Sequence, residues 1–92
     1  MYYLYILHCA DGSLYTGITV DLARRVEEHN TSKLGAKYTR ARRPVKLVFA
    51  KKFRKRSTAT RAEYQIKTLS RQKKLSIIKE SLFYRDGRQS AH

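Results

Sequence analysis

The first third of the chain has the pattern of a β-hairpin followed by a helix, and this pattern limits the fold more than any other feature. The segments Tyr2–His8 and Leu14–Thr19 are rich in aromatic and β-branched residues, which favour strands. The residues between them, 10–13, are typical of a turn. Asp21 is a good N-cap for a helix predicted over 21–30. The chain is therefore expected to begin with two paired strands that lead into a helix.

The length of the hairpin loop decides which side chains share a face of the sheet. Side chains alternate between the two faces along a strand. Tyr5 and Tyr15 therefore share a face only if the residue numbers of two directly opposite residues add up to an even number. A two-residue turn would put the two tyrosines on opposite faces. A three-residue loop, 10–12, with its glycine at positive φ, would instead pair Cys9 with Ser13. That register brings Tyr15 diagonal to Tyr5, and we therefore predict a loop of odd length.

The rest of the sequence predicts one more strand and two more helices. A third strand is expected over 45–53, where apolar side chains at odd-numbered positions alternate with their neighbours. Ser57 or Thr58 can cap a helix that extends to about residue 69. A last helix is expected over about 72–82. A three-stranded antiparallel sheet with about three helices around one core is an α+β fold.

The length, cysteine content and hydropathy of the chain indicate its class. One domain is expected over residues 1–83, and the polar tail, 84–92, is expected to be disordered. Cys9 is the only cysteine, so an internal disulfide is excluded and a reducing compartment is indicated. The sequence has no apolar run long enough to span a bilayer and does not start with a signal-peptide pattern. We expect a cytoplasmic protein with no membrane partner.

The charge of the chain is strongly positive and is concentrated in its middle. There are 21 basic and 7 acidic residues, which gives a net charge of +14. No acidic residue occurs between Glu28 and Glu63. A block of one sign produces a field that attracts polyanions, and a phosphodiester backbone is the natural partner. We predict that the partner is nucleic acid.

Four polar side chains suited to phosphodiester chemistry occur early in the chain. Arg25 and His29 are four residues apart on the predicted helix and therefore share a face. A guanidinium binds phosphate oxygens, and a histidine can relay a proton. Cations near Tyr5 or Tyr15 would lower the pKa of the phenol, which could then take a proton from water. Ordinary packing and surface roles remain open for all four residues.

These residues resemble the motifs of the GIY-YIG nuclease superfamily. Tyr3-Leu4-Tyr5 and Tyr15-Thr16-Gly17 are similar to its two half-motifs, with a tyrosine in place of the first glycine. An essential arginine of the family aligns with Arg25, and a histidine or tyrosine four residues later aligns with His29. A metal-binding glutamate of a later helix aligns with Glu63. The similarity covers nearly the whole chain and is closest to the small single-domain bacterial branch.

The resemblance implies a metal-dependent endonuclease that cleaves DNA, with structured or branched substrates. Glu63 would hold Mg²⁺ or Mn²⁺, and Arg25 and His29 would act at the phosphate. Tyr5 is assigned as general base and Tyr15 as the group that positions water or phosphate. The family gives the role of base to either tyrosine, so that choice stays open. A protein partner could supply substrate targeting.

Two departures from the family keep an alternative function open. The family often has an asparagine in its last helix, whereas Asn30 is the only asparagine here. The first half-motif begins with Tyr3 instead of glycine. In addition, Glu63 could pair with Lys67 one helical turn later rather than with a metal. The alternative is a non-catalytic nucleic-acid-binding module or an RNA-processing accessory protein.

A basic loop, about 31–44, is predicted to contact the nucleic-acid backbone. Tyr38 suits stacking on an unpaired base. Gly17 is expected to let substrate or a neighbouring side chain approach the sheet. No element has the side chains of a base-reading helix, so low sequence specificity is expected. The predicted nucleic-acid-binding residues are Gly17, Lys37, Tyr38, Arg40, Arg42 and Arg43.

Overall fold

The three strands form one antiparallel sheet with the first strand in the middle. The computed structural model describes the backbone of residues 1–90 and the side chains of residues 1–81. Strands β1 (Tyr2–His8) and β2 (Leu14–Thr19) form the predicted hairpin, and β3 (Lys46–Phe53) pairs with the other edge of β1. The sheet order is β2-β1-β3. Each half of the sheet therefore depends on β1.

The hairpin has the predicted three-residue loop. The Cys9 N–H donates to the Ser13 carbonyl at 2.9 Å, and Gly12 has a φ of 87°. This left-handed conformation favours glycine because it has no Cβ. The resulting register puts Tyr5 and Tyr15 diagonally on one face, with ring centroids 6.4 Å apart. The sequence prediction is confirmed at this point.

The register between β1 and β3 shifts by one residue in the middle of the pair. Ile6 lies opposite Phe49, whereas Leu7 lies opposite Leu47, so Val48 is the extra residue on β3. A bulge of this kind turns the following side chains to the other face. The predicted alternation, which put Leu47 and Phe49 on one face, is therefore wrong. Each of them shares the face of its own partner on β1.

Within residues 1–90, four helices accompany the sheet, one more than predicted. They are α1 (Leu22–Thr31), α2 (Lys37–Arg40), α3 (Arg56–Lys67) and α4 (Arg71–Ser90). The extra helix, α2, is a single turn inside the predicted basic loop. The assignment of α4 is longer than the predicted range 72–82. The predicted disordered tail, 84–92, lies outside the residues whose side chains are described, and it stays a prediction.

The N-cap of α1 is the predicted residue, whereas the N-cap of α3 is not. The Asp21 carboxylate accepts a hydrogen bond from the Arg24 N–H at 3.1 Å, as predicted for an N-cap. The N-cap of α3 is Lys55, which provides no side-chain hydrogen bond. Ser57 and Thr58 lie inside the helix, so the prediction that one of them caps it is wrong.

The core lies on both faces of the sheet. On one face, Leu22 and Val26 of α1 pack against a buried cluster of Tyr5, Leu7, Cys9 and Val45. On the opposite face of β1, Leu4 and Ile6 are buried, while α3 contacts all three strands and α4 contacts β3. The α+β fold is therefore confirmed. Within residues 1–90, no helix is long and apolar enough to cross a membrane.

Candidate active site

A cleft of about 400 Å³ is formed by β1, β2, α1 and α3. Four of the five predicted catalytic residues line it, and they come from four different elements. The fifth, His29, is completely buried and bonds to Tyr5. The lining residues are Tyr2, Tyr5, Tyr15, Gly17, Ile18, Thr19, Val20, Arg25, Arg56, Thr60 and Glu63.

Gly17 makes room for the side chain of Tyr5. The two residues are opposite each other in the β1–β2 register. A Cβ atom at position 17 would lie 2.5 Å from the Tyr5 hydroxyl oxygen and 2.7 Å from Cζ of the ring. The neighbouring side chain expected to approach this glycine is therefore Tyr5 itself. The predicted contact of Gly17 with nucleic acid stays a prediction.

Tyr5 belongs to a buried hydrogen-bonded chain. Its hydroxyl lies 2.8 Å from Nε2 of His29, and Nδ1 of His29 lies 2.8 Å from the Thr39 hydroxyl oxygen. The Thr39 hydroxyl in turn donates to the Ala36 carbonyl at 2.9 Å. Tyr5, His29 and Thr39 are each at most 1% exposed. This series of hydrogen bonds links the cleft to α2, and no feature of the sequence identified Thr39.

Burial dominates the protonation of the Tyr5–His29 pair. It raises the pKa of Tyr5 to about 12, although the nearby Arg25 acts in the opposite direction. Burial also lowers the pKa of His29 to about 4, and Arg25 contributes to that decrease. At neutral pH the pair is therefore an uncharged phenol beside an uncharged imidazole. The expectation that cations lower the pKa of Tyr5 is wrong for the protein alone, because desolvation outweighs the charge of Arg25.

The side chain of Arg25 is held in the cleft by Glu28 and by the backbone of Leu34. Its Nη1 donates to the Glu28 carboxylate and to the Leu34 carbonyl, both at 2.8 Å. The preceding residue, Arg24, has a side chain that is 56% exposed and lies 3.6 Å from the same carboxylate. The guanidinium also interacts with the Tyr5 hydroxyl, which contributes to the raised pKa of Arg25 and opposes the rise in the pKa of Tyr5. A guanidinium has five N–H donors, so Arg25 can still offer donors to a phosphate while Nη1 keeps its bonds to Glu28 and Leu34.

Glu63 projects from α3 into the cleft and also makes an ion pair. One carboxylate oxygen lies 3.2 Å from Nζ of Lys67, so the alternative left open by the sequence is present. The side chain is 22% exposed and lines the same cleft as Tyr5 and Arg25. In the described part of the chain, no group of three or more His, Cys, Asp or Glu side chains could hold a metal. An ion in this cleft would depend on Glu63, water and substrate oxygens.

An aromatic stack extends from the cleft to α2. The ring of Tyr15 lies 5.1 Å from the ring of His29 and 5.9 Å from the ring of Tyr38. The guanidinium carbon of Arg42 lies 3.9 Å from the centre of the Tyr38 ring, and its Nε pairs with Asp11 at 3.0 Å. Tyr38 and Arg42 thus support Tyr15 from outside. Their predicted contacts with nucleic acid stay predictions.

The predicted basic loop separates into bonded and exposed cations. Arg43 donates to the carbonyls of Glu28, His29 and Ser32, and so caps the end of α1. Lys37 and Arg40 are exposed, and neither makes an ion pair with a described residue. Arg43 therefore has a structural role that the sequence did not reveal. Lys37 and Arg40 are better placed for the predicted contact with a phosphate backbone.

Two other residues hold α1 in position. The Asn30 side chain accepts from the Val45 N–H at 2.7 Å and donates to the Val45 carbonyl at 3.0 Å. A Cβ on Gly35 would lie 2.8 Å from Cα of His29, so glycine lets the loop pack on α1. The only signals in the sequence were an asparagine at a helix end and a glycine in a loop. These contacts fix the helix that carries Arg25 and His29.

The fold and the cleft define the class of protein. The family model described as the GIY-YIG catalytic domain matches residues 1–76. The chain belongs to this family, which places it in a nuclease superfamily. The resemblance inferred from the two half-motifs is therefore confirmed.

Several of the individual relatives are named UPF0213 proteins. A UPF0213 protein of Desulfotalea psychrophila is 54% identical, with 87% of this chain and 73% of the relative covered. One of Staphylococcus saprophyticus is 53% identical, with 86% and 95% covered. The solution structure of a UPF0213 protein of Bacillus halodurans is similar with a TM-score of 0.56 and 49% identity, covering 86% of this chain and 84% of that one. The solution structure of a protein from E. faecalis is similar with a TM-score of 0.61 and 43% identity. The match covers 89% of this chain and 86% of that one. The names of these relatives state no activity.

Proposed function

We propose that this protein is a divalent-metal-dependent endonuclease that hydrolyses phosphodiester bonds in DNA with low sequence specificity. The observation that carries the proposal is the meeting of Tyr5, Tyr15, Arg25 and Glu63 in one cleft. These residues provide a proton acceptor, an anion-binding group and a carboxylate, which is the set that phosphodiester hydrolysis requires. The buried His29 adds a second proton acceptor behind Tyr5.

The cleft suits a single hard cation, Mg²⁺ or Mn²⁺. Mg²⁺ is commonly bound by one or two carboxylates together with water and substrate phosphates, and Glu63 supplies one carboxylate. When bound, the ion provides positive charge at the phosphoryl oxygens and lowers the pKa of a bound water. Lys67 would compete for the same carboxylate, so binding requires their ion pair to open.

The side chains of the cleft have separate roles in the proposed reaction. Arg25 binds a non-bridging phosphate oxygen through guanidinium N–H groups that Glu28 and Leu34 do not use. Tyr5 accepts a proton from the attacking water while its own proton passes to Nε2 of His29. The new oxygen–phosphorus bond forms as the ester bond to the leaving oxygen breaks, and that oxygen takes a proton from solvent. Tyr15, on the same face as Tyr5, positions the water. The extra proton on Nε2 of His29 then returns to Tyr5, whose hydroxyl releases a proton to the solvent of the cleft.

The negative charge of the substrate makes this proton transfer easier. In the free protein, Arg25 adds to the burial that keeps His29 uncharged. A phosphodiester bound at Arg25 would neutralise that charge, so a proton on His29 would cost less free energy. The low pKa of His29 in the free protein is therefore compatible with a transient imidazolium in the complex.

The proposal is tested by cleavage of labelled linear, branched and single-stranded DNA in Mg²⁺ or Mn²⁺. Glu63→Gln and Arg25→Gln should each lower the cleavage rate by about 100-fold or more. Arg25→Gln removes a cation that binds the phosphate, and Glu63→Gln removes the carboxylate that would hold the metal ion. Lys67→Gln is the matched control: it breaks the same ion pair as Glu63→Gln but keeps the carboxylate. It should retain cleavage. Cleavage that survives both cleft substitutions would refute the proposal.

A non-catalytic nucleic-acid-binding module is the second candidate, and the Glu63–Lys67 ion pair favours it. In that case the carboxylate would only stabilise α3. The wild-type protein would then bind DNA or RNA but leave it intact in every metal tested. Glu63→Gln should then bind at least as tightly as wild type, since the module does not use the carboxylate and the loss of a negative charge favours binding to a polyanion.

A further inference from the structure

The Thr39 hydroxyl is the last side chain of the buried chain that starts at Tyr5. Its oxygen lies 2.8 Å from Nδ1 of His29 and 2.9 Å from the Ala36 carbonyl oxygen. A hydroxyl has one hydrogen to donate and can also accept. The way Thr39 uses that hydrogen therefore decides which nitrogen of His29 carries a proton.

Two arrangements of hydrogens are conceivable, and the distances favour one. If Thr39 donates to Ala36, its oxygen accepts from Nδ1–H of His29, and both short contacts are hydrogen bonds. If Thr39 donates to His29 instead, two oxygens with no hydrogen between them face each other at 2.9 Å. The second arrangement would gain only a 3.4 Å contact from the Ala36 N–H to Nδ1. The first arrangement therefore makes two short hydrogen bonds, whereas the second makes one short hydrogen bond and one long contact, and the first is favoured.

The first arrangement has a consequence for Tyr5. With its hydrogen on Nδ1, an uncharged His29 has a lone pair on Nε2, 2.8 Å from the Tyr5 hydroxyl. Tyr5 then donates to His29 and turns its own lone pairs to the cleft. In the opposite tautomer, Nε2 would carry the hydrogen and donate it to a lone pair of the Tyr5 hydroxyl. Nε2 could then not accept the proton of Tyr5.

We propose that Thr39 is a positioning residue that keeps the proton of His29 on Nδ1, so that Nε2 can accept the proton of Tyr5 during catalysis. The catalytic part of this inference rests on the proposed function, whereas the tautomer does not. Thr39 belongs to α2, between exposed Lys37 and Arg40. The single-turn helix α2 therefore carries both the exposed cations Lys37 and Arg40 and the hydroxyl that orients His29.

The tautomer is measured by long-range proton–nitrogen correlation NMR of the labelled protein at neutral pH. The signals of His29 are those lost in His29→Gln. We expect the wild-type spectrum to show hydrogen on Nδ1 and none on Nε2. Hydrogen on Nε2, or on both nitrogens, would overturn the proposal without any variant.

Two substitutions then isolate the hydroxyl. Thr39→Val keeps the size of the side chain but removes the hydroxyl, and should shift His29 toward the Nε2–H form. Thr39→Ser retains the hydroxyl and should keep the wild-type tautomer. An unchanged tautomer in a folded Thr39→Val would refute the role of Thr39.

Cleavage assays test the catalytic consequence separately. Thr39→Val should lower kcat by about 100-fold, the scale of a lost proton-transfer contribution, with little change in KM. Thr39→Ser should restore most of kcat. A wild-type kcat in Thr39→Val despite a shifted tautomer would overturn the catalytic part. If the wild-type protein cleaves nothing, the proposed function fails, and the NMR result still decides the tautomer.

Discussion

The hydroxyl oxygen of Tyr5 lies 2.5 Å from the point that a Cβ atom on Gly17 would occupy. This relationship explains why the two half-motifs must pair in a fixed register. Tyr5 can lie across β2 only where the residue opposite it has no side chain. The hydroxyl is then held between His29 and the cleft.

Gly17→Ala should therefore displace the Tyr5 ring and break its bond to His29. We expect cleavage to be lost and the free energy of unfolding to fall by about 1–3 kcal/mol, the usual effect of overpacking. Gly12→Ala is a suitable control: its φ of 87° costs an alanine about 1–2 kcal/mol, but no atom lies within 4 Å of the new Cβ. Cleavage assays and urea unfolding distinguish the two. Equal activity in both variants would contradict the role given to Gly17.

The hairpin and the positions of Arg25 and His29 could be predicted because they depend on local rules. The parity of strand pairing and the preference of Gly12 for positive φ fixed the loop, and helical spacing put Arg25 and His29 on one face. These rules involve residues close together in the sequence. The half-motifs then needed no tertiary information to be recognised.

The roles of Thr39 and Arg43 could not be predicted, because each depends on a contact across the fold. Thr39 looked like any polar residue of a basic loop until α2 put it beside His29. Arg43 looked like a free cation until its guanidinium reached the end of α1. The protonation of Tyr5 was missed for a similar reason, since desolvation depends on packing that the sequence does not show.

Acid should destabilise the protein through His29. The pKa of this histidine is about 4 in the folded protein, against an ordinary value of 6.5. Between these two values the unfolded chain binds a proton that the folded protein does not, so stability rises with pH across that interval. The contribution is complete above pH 6.5 and decreases by about 3 kcal/mol as pH falls to 4. Urea unfolding at pH 7 and pH 4.5 should show a larger decrease for wild type than for His29→Gln. Equal decreases would mean that another group is responsible.

Arg43 and its neighbour Arg42 should differ in their effect on stability. Arg43→Ala removes a charged donor from three carbonyls at the end of α1 and should cost about 2 kcal/mol or more. Arg42→Ala removes a half-exposed pair with Asp11 and two surface contacts with Tyr38, and should cost less than Arg43→Ala, about 1 kcal/mol. Thermal and urea unfolding of the two variants provide the test. A larger loss in Arg42→Ala would contradict the capping role of Arg43.

Lys37 and Arg40 should contribute to nucleic-acid binding but not to folding. Both are exposed on α2, which contacts the cleft through Tyr38 and Tyr15. Changing either one to Gln should weaken binding to all DNA sequences alike and reduce the salt dependence of the affinity by about one unit of slope per cation. The unfolding transition should not move. Lys79→Gln, an exposed residue of α4 that does not line the cleft, removes the same charge elsewhere. Fluorescence anisotropy across a series of salt concentrations measures the slopes, and an equal reduction in Lys79→Gln would show that binding follows net charge and not α2.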